Sequence, residues 1–107
     1  MNYTNLEREL NSSHNRQRIR CYFLEKLDRA YLKGEVSKIE RNKLEMKSFM
    51  DHGFLYQWFT ENRRSLEAKG LFVFLPDSQL LEALRFGNSW EEIKQMDEEV
   101  YSHLAVD

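Results

Sequence analysis

Apolar residues recur at three- and four-residue spacing along most of the chain, the period of one face of an α-helix. Ile19, Phe23, Leu27, Ala30 and Tyr31 make one such face. Val36, Ile39, Met46, Phe49 and Met50 make a second, broken by polar Lys43. Leu55, Trp58, Phe59, Asn62 and Leu66 form a third, and Leu80, Leu81 and Leu84 a short fourth. Ile93, Met96, Val100 and Leu104 form a fifth, which opens at Trp90.

Start and stop signals flank these faces. Thr4–Glu7, Ser37–Glu40 and Ser89–Glu92 each place a hydroxyl three residues before a Glu. The hydroxyl can accept from a free N–H of the first turn while the carboxylate reaches back to the cap residue. Gly34, Gly70 and Gly87 each follow a helical pattern, where the left-handed residue that ends a helix is least strained as glycine. Gly53 either ends a helix or sits in a bend. The pattern predicts an all-α fold: residues 1–107 form a single compact bundle of five or six helices around one core.

One segment breaks the helical period. Leu71-Phe72-Val73-Phe74-Leu75 lies between Gly70 and Pro76, is rich in strand-forming residues and is too short for a helix. No second segment looks like its partner, and each backbone group buried unpaired costs about 1–3 kcal/mol. The segment is therefore either a buried connector or an extended strand that pairs with another molecule, as in a twofold dimer or strand addition.

Composition narrows the class. At 107 residues the chain is the size of one domain, and 41% hydrophobic content is enough for one core. The longest apolar run, Leu71–Leu75, is far short of a membrane span. Glu7, Arg8, Glu9 and Arg16 stand where a secretory signal needs an apolar stretch, so no export signal is expected. A single cysteine, Cys21, excludes an intramolecular disulfide and a multi-cysteine zinc site and fits a reducing cytoplasm. The formal charge of −2 hides a split: residues 1–70 hold 14 Lys and Arg against 10 Asp and Glu, whereas residues 71–107 hold 2 against 8. Such a division suggests two surfaces with different partners, head-to-tail docking of subunits, or attraction between the two ends within one fold.

Catalytic chemistry finds little to work with. The four glycines are singletons rather than a phosphate loop, and neither a nucleophile elbow nor a His-Glu-x-x-His helix is present. His14 and Cys21 share a helical face, but a metal needs three or four ligands; they read as a surface imidazole and a buried thiol. Asp51-His52 reads as a polar helix end. No enzyme activity, cofactor or metal is expected.

Cations offer more. If a helix starts near Ser12 or Ser13, Arg16, Arg18 and Arg20 crowd the positive end of its dipole, a cost that an anion would offset. If residues 4–33 form one long helix, these arginines are mid-helix and need no such explanation. Downstream, Leu66-Glu67-Ala68-Lys69-Gly70-Leu71 resembles the C-terminal turn of a winged-helix recognition helix, which runs Leu-x-x-x-Gly-Leu into a wing strand. Arg63, Arg64 and Lys69, with Arg16, Arg18 and Arg20, are expected to contact nucleic acid or an acidic protein partner. Ala83, Gly87, Ile93 and Met96 also have helix-turn-helix spacing. The would-be reading helix, however, carries Glu91, Glu92, Asp97, Glu98 and Glu99, which phosphate repels.

Two expectations follow. The first is a small non-enzymatic regulatory or inhibitory protein that binds another protein. Tyr3, Tyr56, Trp58, Trp90 and Tyr101 would be its anchors, and Glu91, Glu92, Glu98 and Glu99 an acidic partner face. The alternative is a dimeric nucleic-acid-binding transcriptional regulator. A homodimer through Leu71–Leu75 is compatible with either, and no membrane is involved in either.

Overall fold

A computed structural model describes the backbone of residues 3–105 and the side chains of residues 5–66 and 69–105. Five α-helices account for most of it: α1 (Tyr3–Leu32), α2 (Lys38–Met50), α3 (His52–Asn62), α4 (Asp77–Phe86) and α5 (Trp90–Ala105). A 3-10 turn, Arg63–Lys69, continues from α3, and no strand occurs among the described residues. The fold is all-α.

α1 is the spine. It runs unbroken for 30 residues, through Ser12 and Ser13, so the arginines at 16, 18 and 20 are mid-helix and the dipole at their position is not a cost to be offset. Asn15, Ile19, Phe23 and Leu27, four residues apart, are its buried edge. Asn15 Nδ2 donates to the Asn88 carbonyl (2.6 Å), tying the spine to the α4–α5 turn. Around this edge gather Leu55, Tyr56 and Phe59 of α3, Leu80, Ala83 and Leu84 of α4, and Ile93 of α5. Fully burying one such side chain contributes about 1.5–3 kcal/mol. Cys21 is exposed rather than buried, because a residue two positions from Ile19 and from Phe23 falls on the other side of the helix.

The capping signals operate where the structure describes them. Glu92 N donates to Ser89 Oγ (3.2 Å) while Ser89 N donates to Glu92 Oε1 (2.9 Å), the full reciprocal box. At Ser37 the hydroxyl accepts from Glu40 N (3.1 Å), and it also meets the Glu40 carboxylate (3.2 Å). Thr4 belongs to α1 itself, and its side chain lies outside the described residues. Asp51 both closes α2 and caps α3: its N–H donates to Lys47 O (2.9 Å) and its Oδ1 accepts from Phe54 N (2.9 Å). Gly53 therefore sits inside the first turn of α3 and ends nothing. Gly87 turns left-handed (φ 84°), and a Cβ there would lie 2.8 Å from the Arg8 carbonyl oxygen. Only glycine lets the α4–α5 turn approach α1 so closely.

The 71–75 segment is a bent connector inside the molecule. Leu71, Phe72 and Leu75 are buried, and Phe72 adopts φ 43°, which breaks any extended run. Three of its backbone groups find side-chain partners within the chain. Arg63 Nη1 donates to Phe72 O (2.7 Å), and Phe74 N and Leu75 N both donate to Asp97 Oδ1 (2.8 and 2.7 Å). The Phe72 ring packs between Phe59 and Trp90 (centroids 6.2 and 4.7 Å), while Phe74 lies out against Tyr101 (4.6 Å).

One predicted face does not enter the core. Ile39, Met46, Phe49 and Met50 point outward, and α2 meets α1 through its other side. There Ser48 is fully buried, with Oγ donating to Glu45 O (2.6 Å) and its carbonyl accepting from Arg20 Nε (3.2 Å). Arg41 bridges Asp28 of α1 (2.7 Å) and Glu45 (2.6 Å), and Leu44 is half-buried beside them. The helix is seated by polar groups, and that leaves its apolar stripe outside. The molecule is correspondingly flat: its extents are 46 × 45 × 18 Å, and its radius of gyration is 15.4 Å. A chain of this length ordinarily gives about 13 Å.

Candidate interaction surfaces

The outward stripe of α2 is built by helical geometry. Positions 39, 43, 46 and 50 are spaced four, three and four apart, so their side chains stand in line along one face. Ile39 is 69% exposed, Met46 59% and Met50 77%, with Lys43 between them and Phe49 (50%) at the edge. Arg20 lies over the Phe49 ring (4.4 Å) and Lys47 over Phe54 (4.6 Å), so cations border the stripe. A single exposed apolar side chain is ordinary, whereas here four stand exposed on one helix.

The six cations expected to contact an anion do not converge. Arg16 Nη1 donates to Ser12 Oγ (2.8 Å), Arg18 lies over the Trp90 ring (5.2 Å), and Arg20 is held between Phe49 and Ser48. Arg63 is 2% exposed and is spent on Asp77 (2.7 Å) and the Phe72 carbonyl, so it cannot meet a phosphate; this corrects the expectation. Lys69 pairs with Glu25 (3.3 Å) and lies over Tyr22, and Arg64 stands exposed. The turn after Leu66 leads through Gly70 into the buried connector and not into a wing strand, so the winged-helix resemblance ends there.

α4 and α5 do have the outline of a helix-turn-helix. Gly87, Asn88 and Ser89 form the turn, Ala83 and Ile93 are buried, and Met96 is half-buried against the core. On α5, Glu92 is committed to its cap and Asp97 to the connector, which leaves Glu91, Glu98 and Glu99 exposed. Hydrogen bonds from the Ser89 backbone and hydroxyl hold the Glu92 carboxyl below its ordinary range.

Of the aromatic anchors, Tyr56 is buried, and Trp58 and Trp90 are half-buried against the core. Tyr101 is exposed, and Tyr3 carries a side chain outside the described residues. His14 is exposed, and His52 is held below its ordinary range by partial desolvation and then by the nearby charges of Arg16 and Arg20. Among the described residues, no three His, Cys, Asp or Glu side chains gather as metal ligands, and no helix is long and apolar enough to cross a membrane. Comparison with protein-family models, with curated proteins and with solved structures finds no match for this chain.

Proposed function

We propose that this chain is a small non-enzymatic regulatory or inhibitory protein that acts by binding another protein through the outward stripe of α2. The observation that carries the reading is the inverted orientation of that helix. A helix with a buried serine and a bridging arginine inside, and isoleucine, methionine and phenylalanine outside, keeps its apolar face for something other than its own core. Lys43 within the stripe, and Lys38 and Lys47 beside it, suit an amphipathic partner helix whose polar flank is acidic. Methionine favours such a role, because its flexible thioether adapts to the partner's contour.

The test places a photo-crosslinking residue at Met50 in the native cells. A discrete heavier adduct is expected, lost when Met46→Glu is added to a chain that still folds. Adduct formation only at an exposed control position such as Ser78, and none at Met50, overturns the reading. An adduct of two copies of this chain replaces the foreign partner with a homodimer. The nucleic-acid alternative has less support, since its six cations are dispersed and one is buried. A gel shift on mixed-sequence DNA that responds to Arg64→Glu would revive it.

A further inference from the structure

A second site, separate from α2, lies where the N-terminal half of α1 meets the end of α4. Arg8 and Arg16 of α1 and Arg85 of α4 line one open cleft of about 440 Å3. Among the described residues, none of the three has a carboxylate within salt-bridge distance, although arginines elsewhere in the chain do. Three guanidinium groups in one concavity, with Glu9 the one carboxylate on its lining, leave an excess of positive charge that an anion between them relieves.

The arrangement is built. Arg8, Ser12 and Arg16 are four residues apart and so project from one face of α1. The Arg16 guanidinium is held by Ser12 Oγ (2.8 Å), and Ser12 in turn shares a hydrogen bond with the hydroxyl of buried Tyr56 (3.0 Å). Arg8 rests on the Phe86 ring, 4.2 Å from its centroid. The left-handed Gly87, whose missing Cβ allows contact with the Arg8 backbone, brings Arg85 to the other two. Arg8 and Arg16, held before binding, lose less side-chain freedom on meeting a ligand, while Arg85 stands exposed at the rim.

We infer that this cleft binds the terminal phosphate dianion of a small phosphorylated molecule. Three arginines with Glu9 on the wall give a formal +2, which matches a dianion better than the single charge of a nucleic-acid phosphodiester. The volume falls in the range of small-molecule sites, about 300–1,000 Å3. A duplex needs an extended track of free cations, whereas Arg18, Arg20 and Lys69 are engaged with Trp90, Phe49 and Glu25. This site stands whether or not the α2 stripe takes a protein.

The experiment titrates inorganic phosphate, at a pH where the dianion dominates, into the full chain at a fixed ionic strength of about 0.1 M while following the Nε–H signals of the arginines by NMR. Saturable shifts at Arg8, Arg16 and Arg85 are expected, with a dissociation constant on the order of 1 mM or lower. Arg16→Gln and Arg85→Gln should each weaken binding about tenfold, and Arg29→Gln, on the exposed pair with Glu25, should leave it unchanged. Arg85 is exposed, so its variant reports binding even if Arg16→Gln perturbs the fold. Linear shifts, an equal response to chloride, or undiminished binding in both variants overturns the inference. So does a short DNA duplex that binds tighter than inorganic phosphate and ignores the Arg85 change.

Discussion

α2 and the 71–75 connector make opposite use of apolar residues. The connector is the most apolar run in the chain, has no regular structure, and is folded into the centre. α2 is a regular helix with a clear apolar face, and that face is outside. The difference lies in what the neighbouring polar groups can satisfy. Arg63 takes up the Phe72 carbonyl and Asp97 the Phe74 and Leu75 N–H groups, which supports the burial of Leu71, Phe72 and Leu75. Arg41, Ser48 and Arg20 form the inner seat of α2, and once they are in place the stripe at 39, 46 and 50 has no way inward. Apolar spacing shows that a face exists; polar partners decide where it points.

Paired phenylalanines break this comparison most directly. Phe72→Ala should cost about 3–5 kcal/mol in chemical denaturation, whereas Phe49→Ala on α2 should cost under about 1 kcal/mol. Equal losses would mean that α2 is covered within the chain. Gly87→Ala should come next, at about 2–4 kcal/mol, combining the left-handed conformation with the Arg8 contact. Gly34→Ala, with open space around it, should cost only about 1–2 kcal/mol. Asp97→Ala strips two connector N–H groups of their acceptor and should cost about 1–3 kcal/mol, with faster amide exchange at Phe74 and Leu75.

Acid titration gives a smaller effect. Because the Glu92 carboxyl is held below its ordinary 4.5, its contribution is full above that pH and fades as pH falls through the lowered value. Glu92→Gln should flatten that part of the stability profile and leave the neutral region nearly parallel. Smallest of all, Ile39→Gln and Met50→Gln should move stability by no more than about 0.5 kcal/mol. The same change at Ile93, fully buried, should approach the loss seen at Phe72.

Much of the architecture was legible in the sequence. The capping boxes at Ser37 and Ser89, and the glycine stops at 34, 70 and 87, are local features whose geometry depends on residues three or four positions away. What was not legible depends on residues far apart. The burial of Arg63 follows from Phe72 and Asp77 arriving around it, and a charge run read linearly treats it like exposed Arg64. The outward turn of α2 had two faint signals: Lys43 interrupts the apolar line, and Ser48 stands across from it. Neither is decisive without α1 beside them. The arginine cleft joins residues 8 and 85, which are brought together by a turn that only glycine permits, and no spacing rule connects them.

The thinness of the molecule has a consequence for its area. A rounded protein of 13.0 kDa exposes about 6,300 Å2, and this chain exposes 7423 Å2. The surplus, roughly 1,000 Å2, slightly exceeds what one partner contributes to a complex of standard size, about 800 Å2. A thin molecule thus exposes more surface than its mass requires, and covering that surplus would return the chain to the surface economy of an average domain of its size.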